Sequence, residues 1–336
     1  MKIILSRKGF DGTYGGFPSP IFEDGRMISL PIPINHDKER SFTYNDLSPQ
    51  GVNLGDLLKE LGKVPKGPKI GKKDPIYVHF DPDLYNDSLP PNNEFKARMK
   101  GWKGLFGTDQ AAAGILCNKE TGVKPGDIFL FFGWFNHIID EDGKRVYDTK
   151  SQGFHQIWGW LQIGQIIHLD NKDQRTKVPE WARYHPHYQN TDMRNNVLFI
   201  ARNELTLDGF DTKGLKGYGT LQHYHTNATL TETDPKKNNK YYNEFQIGIG
   251  KHASPNDDIK ISLWRLPLWF YHQDVTKRLG YHNKDNQRTK ASWFKDDTYA
   301  YMKSTSPGQE FILDLDHYPG AAKQWVLDII TNSGIH

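Results

Sequence analysis

The sequence predicts an α+β fold rich in strands, with short strands in mixed sheets and a few helices packed against them. Three observations carry this expectation. Across 336 residues, 31 glycines and 19 prolines interrupt the chain too often for long helices, which favours short elements joined by turns. Apolar runs of strand length recur between turn residues, most clearly Ile128 to Phe132 and Phe154 to Ile167. Only a few stretches carry the i, i+3, i+4 apolar spacing of a helix. Aromatic residues make up 13% of the chain within a hydrophobic total of 36%, so the core is expected to be built more from rings than from aliphatics.

Lys2 to Ser6 reads as the first strand, followed at once by the glycine-rich loop Arg7-Lys8-Gly9-Phe10-Asp11-Gly12-Thr13-Tyr14-Gly15-Gly16. Loops of this kind can turn backbone N–H groups toward a phosphate or carboxylate, which makes Gly15 and Gly16 candidate binding positions. A tight turn using the glycines only for positive φ is the equal alternative. Arg7, Lys8 and Asp11 sit at the loop mouth, where charge is poorly suited to a core. Neither a phosphate-binding Walker pattern nor a dinucleotide fingerprint is present.

Asp24-Gly25 between two apolar runs predicts a hairpin with a type I′ turn. Asn53 to Gly62 has helical spacing, with Leu54, Leu57, Leu58 and Leu61 on one face, and Gly62 to Pro75 reads as an exposed connector. Next, His79-Phe80-Asp81-Pro82-Asp83 delivers two carboxylates to the end of a strand. Asp81 and Asp83 are candidates for proton transfer or for a divalent cation, and the same residues also suit an ordinary turn. Thr108 or Asp109 should cap a slim helix through Ala111-Ala112-Ala113.

Lys124-Pro125-Gly126-Asp127 launches an aromatic strand that reaches Trp134, a hydrophilic hairpin tip follows at Asp140 to Arg145, and a nearly apolar strand returns. Farther on, His185-Pro186-His187 places two imidazoles on one side if the segment is extended. Two imidazoles are too few for a closed zinc site, and further ligands would have to come from Asp81, Asp83 or His79, so no metal is assigned; His185 is retained as an acid or base and His187 as a binding residue. His223-Tyr224-His225 carries no assigned role. Arg265, a lone charge in Trp264-Arg265-Leu266-Pro267, suits bidentate contact with a phosphate or pairing with a buried acid. A strand from Gly308 to Asp314 and a helix from Gly320 to Thr331, with Ala322, Trp325, Val326, Ile329 and Ile330 as its apolar stripe, close the chain.

Charge narrows the classes of partner. With 43 basic and 40 acidic side chains the net charge is +3, which excludes a global basic field of the kind that drives nonspecific nucleic-acid binding. Cys117 is the only cysteine, so no intrachain disulfide can form, and a reducing compartment is expected. The apolar run after Met1 is far shorter than a signal or spanning segment, so a soluble, cytoplasmic protein without membrane association is expected.

The stretch from Gly122 to Leu169, with its Pro125-Gly126-Asp127 turn and glycine-containing return strand, resembles the PUA-like superfamily that includes EVE, ASCH and YTH domains. That resemblance implies a small β-barrel able to hold a flipped or modified base between rings, with Trp134, Trp158 and Trp160 as candidates. Over its whole length the chain resembles the bacterial family called nucleotide modification associated domain 3. The residues that carry this run from Ser6-Arg7-Lys8-Gly9-Phe10-Asp11 through His79-Phe80-Asp81-Pro82-Asp83, Gly104-Leu105-Phe106-Gly107, Phe131-Phe132-Gly133-Trp134 and Gly159-Trp160-Leu161-Gln162. They continue with His185-Pro186-His187, Trp264-Arg265-Leu266-Pro267 and Gly308-Gln309-Glu310-Phe311. The family resemblance implies a link to modified bases in phage and bacterial DNA, without a reaction, a cofactor or catalytic residues.

Three portions are expected: 1–121 with the glycine-rich loop, 122–205 as the PUA-like part, and 206–336 as a C-terminal β/α part, packed as one body. The functional expectation is a protein that binds a nucleotide, or a base in nucleic acid, in a cleft between the glycine-rich loop and an aromatic barrel. Its candidate catalytic residues are Asp11, Asp81, Asp83 and His185. Its candidate binding residues are Arg7, Lys8, Gly15, Gly16, Trp134, Trp160, His187 and Arg265. The alternative is a reader of modified DNA or RNA bases that does no chemistry. The two differ in whether charges distant in sequence converge on one cleft.

Overall fold

The computed structural model describes residues 1–34, 42–67, 76–89, 97–120, 122–192, 194–248, 259–281, 293–304, 310–318 and 320–332. Its strands are β1 (Lys2–Arg7), β2 (Ser19–Ile21), β3 (Pro33–Ile34), β4 (Tyr77–Val78), β5 (Leu105–Thr108), β6 (Ile128–Glu141), β7 (Lys144–Tyr147), β8 (Phe154–His168), β9 (Val197–Ala201), β10 (Tyr218–Thr220), β11 (Leu263–Pro267), β12 (Gly280–Tyr281), β13 (Trp293–Lys295), β14 (Tyr299–Lys303) and β15 (Glu310–Asp314). The helices are α1 (Leu54–Glu60), α2 (Gln110–Leu116), α3 (Lys172–Arg175), α4 (Pro186–Gln189), α5 (Pro235–Gly248) and α6 (Ala321–Thr331), together with several single turns of 3-10 helix. This is the α+β class, with more strand than helix and mixed sheets. Most strands are short, but β6 and β8 run for 14 and 15 residues.

The main sheet has ten strands, with the path β12-β15-β1-β6-β8-β9-β5 and with β2, β7 and β10 attached at its sides. β1 lies parallel to β6 and antiparallel to β15, which makes the sheet mixed. Strands from all three expected portions of the chain therefore meet in one sheet. The path is open, and among the described residues no pairing closes it into a barrel.

Burial on both faces explains the apolar character of the central strands. Phe106, Phe129, Phe131 and Phe199 pack against one another on one side, while Phe132, Trp264 and Phe311 form a second aromatic group. Edge-to-face pairs of this kind add to the burial of ring surface. The β8–β9 register shifts between Ile163 and Gln165, and a Cβ on Gly164 would stand 2.9 Å from the Ala201 carbonyl oxygen, so only glycine allows that approach.

Local signals behave as chemistry dictates. Asn53 caps α1 by accepting from the Asp56 N–H at 3.1 Å, and Leu54, Leu57, Leu58 and Leu61 are buried. Asp109 is the cap residue of α2, although its side chain makes no cap bond, and the expected stripe of α6 is buried. At Lys124-Pro125-Gly126-Asp127 the Asp127 N–H meets the Lys124 carbonyl at 3.0 Å. The buried Asp127 carboxylate there accepts from the N–H groups of Lys2 (2.7 Å) and Lys124 (2.8 Å), which fastens the start of β1 to the start of β6.

One turn differs from expectation. Gly25 has positive φ but Asp24 does not, so the hairpin is not type I′; the Asp24 carboxylate accepts from the Arg26 N–H and from its guanidinium instead. The two consecutive positive φ values of a type I′ turn occur at Asp142-Gly143, between β6 and β7. The connector beyond residue 67 and the Gly308-Gln309 start of the last strand lie outside the described residues.

Candidate functional site

β1 delivers Arg7 and Lys8 to the end of the main sheet, and the glycine-rich loop then folds back on itself. Asp11 organises it: its carboxylate accepts from the N–H groups of Thr13 and Tyr14, both at 2.7 Å, and lies 3.5 Å from the Arg7 guanidinium. Gly15 and Gly16 both have φ of +85°, and their N–H groups bond to the carbonyls of Lys66 and Asp11. A Cβ on Gly15 would fall 2.1 Å from the Phe10 ring. The glycines thus shape the loop, and their N–H groups are not turned toward a ligand.

Opposite this loop, the segment after β4 carries His79 and Asp81 along the edge of β5. The Gly107 N–H donates to Asp81 Oδ1 at 2.8 Å, and His185 Nε2 lies 3.1 Å from the same oxygen. Asp81 Oδ2 faces His187 Nε2 at 3.6 Å and His79 Nε2 at 3.7 Å. Burial opposes the charge on Asp81, but the His185 hydrogen bond and the surrounding imidazoles outweigh it and hold the carboxyl well below the usual carboxylate range. Burial pushes His187 down to about 3, so it is neutral at ordinary pH.

The two histidines of His185-Pro186-His187 reach this carboxylate by a route other than an extended strand. Pro186 occupies the first position of α4, where its missing N–H costs nothing. His185 is the cap residue, its ring accepting from the His187 N–H, so that His185 sits behind Asp81 and His187 beside it. Asn196 sets the orientation of the second ring. Its amide nitrogen donates to the His187 carbonyl at 2.7 Å, which turns Asn196 Oδ1 onto His187 Nδ1 at 2.8 Å.

These groups open into a cleft of about 380 Å³ between the loop and the start of α2, lined by Arg7, Lys8, Asp11, Tyr14, His79, Asp81, Asp109 and His187 among others. Asp109, on the α2 side, has its carboxyl raised by burial and by the Asp81 charge, against the pull of His79 and Lys8. Lys8 is paired at 3.3 Å with Glu310, whose side chain is buried beneath the loop.

The remaining candidates lie elsewhere. Asp83 is fully buried and receives both guanidinium nitrogens of Arg98, at 2.7 and 2.8 Å, with the Tyr184 hydroxyl as a third donor. Trp160 is buried, its indole N–H donating to the Lys216 carbonyl at 3.0 Å. Trp134 lines a separate depression with Gly16, Phe17, Lys63 and Tyr147. Arg265 pairs with the buried Glu232 at 3.5 Å and stacks on Tyr299.

A family model described as Nucleotide modification associated domain 3 matches residues 2–314. The chain belongs to this family. The matched range contains every residue of the cleft, and the family's description suggests a role in nucleotide modification, with nucleotide or nucleic-acid interaction. No curated protein and no solved structure matches the chain. Among the described residues, no helix is long and apolar enough to cross a membrane.

Sequence reasoning missed Tyr14, Asp109 and Asn196 as parts of the site and treated His79 only as a spare ligand. The His79-Phe80-Asp81 spacing was a usable signal, since alternate residues of an extended segment share a face. Nothing local marks Asn196.

Proposed function

We propose that the cleft binds a nucleotide, or a single base presented by a nucleic acid, and that the protein acts on it as part of nucleotide modification. The observation that carries this reading is convergence: Arg7, Asp11, Asp81 and His187 line one cleft although 180 positions separate the first from the last. A reader without chemistry would have no need to gather them. Membership of a nucleotide-modification family and a cleft volume within the usual range for small-molecule sites point the same way.

Roles follow from the chemistry. The Arg7 guanidinium, steadied by Asp11, offers a planar fork to a phosphate. The ring of Tyr14, 36% exposed at the mouth, offers a stacking face to a base. Asp81, His187 and Asp109 form the polar floor at which a reacting atom would sit.

Mass spectrometry of small molecules copurifying with the protein, followed by calorimetry with nucleotides and short modified or unmodified oligonucleotides, tests the proposal. Tyr14→Ala should weaken binding by about 1–3 kcal/mol, the usual worth of one stacked base, and Arg7→Ala should weaken phosphorylated ligands more than the free base. Failure of every nucleotide and oligonucleotide to bind would overturn the reading. Binding retained in Arg7→Ala and Tyr14→Ala but lost in Trp134→Ala would move the ligand to the Trp134 depression and favour the reader.

A further inference from the structure

His79, Asp81 and His187 form the one group among the described residues in which three metal-ligating side chains converge, with ligand atoms all within 4.8 Å of one another. We infer that His79 Nε2, Asp81 Oδ2 and His187 Nε2 bind one divalent first-row transition-metal ion at the floor of the cleft.

The hydrogen bonds around Asp81 and His187 leave one ligand atom of each facing the other, with His79 Nε2 3.7 Å from the same carboxylate oxygen. Asp81 Oδ1 is occupied by the Gly107 N–H and His185 Nε2, so only Oδ2 is available, which fits one-oxygen coordination. His185 Nδ1 accepts from the His187 N–H, so its proton is on Nε2 and donated to Asp81; His185 supports the carboxylate and is not a ligand. Asn196 accepts the proton of His187 Nδ1, which leaves the lone pair of Nε2 directed at a carboxylate oxygen. Two lone pairs set face to face repel unless a proton or a cation stands between them.

The separations favour the cation. Asp81 Oδ2 lies 3.6 Å from His187 Nε2 and 3.7 Å from His79 Nε2, beyond the roughly 3.2 Å limit of a sound N–H···O bond. Ligands about 2.0–2.2 Å from a tetrahedral ion stand about 3.3–3.6 Å apart, close to both separations between Asp81 Oδ2 and the imidazole nitrogens. Two imidazoles and one carboxylate suit Zn²⁺, Fe²⁺, Co²⁺ or Mn²⁺ and not Mg²⁺ or Ca²⁺, which prefer oxygen. Three protein ligands leave at least one coordination position open toward the cleft, the arrangement of a catalytic centre and not of a structural one. The Asn196–His187 hydrogen bond is the outer contact expected of a metal-bound imidazole.

The inference stands apart from the nucleotide reading and is tested without any nucleotide. The full chain, stripped with chelator and dialysed, is titrated with Zn²⁺ and Co²⁺ by calorimetry and by visible absorption, with Mg²⁺ as control. We expect one ion per chain, Co²⁺ d–d bands, and no heat with Mg²⁺. His79→Ala, at the partly exposed rim where a change of fold is least expected, and Asp81→Asn should abolish stoichiometric binding; Asn196→Ala should weaken it about 10–100-fold. Circular dichroism and thermal melts verify that each variant is folded. No uptake by the folded wild type, or uptake that survives both His79→Ala and Asp81→Asn, overturns the inference. Nucleotide binding measured in chelator tests the other reading separately, so either can fail alone.

Discussion

Asp81 and Asp83 look equivalent in the sequence, and the structure assigns them opposite environments, which stability measurements can separate. Replacing Asp83 by leucine removes the carboxylate that receives two guanidinium nitrogens at 2.7 and 2.8 Å and the Tyr184 hydroxyl. The Arg98 side chain is only 4% exposed and lies 3.9 Å from the Trp102 ring centre, so it cannot turn to water. Its charge would remain buried without a counterion, a loss that costs about 3–5 kcal/mol. Total stabilities are about 5–15 kcal/mol, so the variant should lose a large fraction of its margin. Urea unfolding followed by tryptophan fluorescence measures it. The double variant Asp83→Leu with Arg98→Met deletes more contacts, including the bonds from Arg98 to the Tyr85 carbonyl and Ser88 hydroxyl. It should nevertheless unfold at higher urea than Asp83→Leu alone, because the stranded charge is gone. A single variant within about 1 kcal/mol of wild type, below the cost expected for breaking a buried pair, or a double variant less stable than the single, would refute the assignment of Asp83 to the framework.

Three further outcomes are expected. In Gly107→Ala the new Cβ would lie 2.2 Å from the His187 ring, so the ring must move; stability should fall by about 1–3 kcal/mol and Co²⁺ absorption should weaken, although no charged group is altered. For Asp296, burial opposes ionisation, but the N–H groups of Tyr299 and Thr298 and the hydroxyls of Tyr301 and Tyr241 lower its pKa from 3.8 to about 2. A depressed pKa stabilises the fold above the unfolded value, so wild type should exceed Asp296→Asn in melting temperature at neutral pH, and the gap should close as pH falls from about 4 toward 2. Cys117, its thiol pushed up to about 11 by burial, should react slowly with a disulfide probe at pH 8 in the native protein and rapidly in urea.

What could be read from the sequence was whatever depends on neighbours along the chain. The α1 and α6 stripes, the turn ahead of β6 and the polar tip at Asp142-Gly143 follow from local spacing and turn chemistry. Pairing of β1 with β15 joins residues about 300 positions apart, for which no local pattern exists. The same limit governs the site. Arg7, Asp81 and His187 were visible as unusual residues, but their meeting in one cleft depends on sheet order. Asp83 was indistinguishable from Asp81 because its partner Arg98 lies on a later segment. Trp160 and Arg265 were singled out as a ring and a charge in apolar surroundings, and the contacts that occupy them, with the Lys216 carbonyl and Glu232, lie 56 and 33 positions away, beyond the reach of a local pattern.

The cleft floor owes its geometry to the place where a β-ladder stops. β5 ends the main sheet path and pairs with β9 on one side only. On its other side the chain at Asp83 makes one backbone bridge, exchanging hydrogen bonds with Leu105 at 2.9 Å in both directions. Two residues along, the next outward N–H is that of Gly107, and it is met by the Asp81 carboxylate instead of a backbone carbonyl. The Asp81 side chain thus continues the ladder, with Oδ1 held by the Gly107 N–H and Oδ2 facing the His79 and His187 rings. Gly107 is needed there twice, to supply the N–H and to leave room for the His187 ring above it. The pair of acids in His79-Phe80-Asp81-Pro82-Asp83 thus divides the work: Asp83, paired with Arg98, fixes the segment against β5, and that fixation carries the Asp81 carboxylate to the histidines.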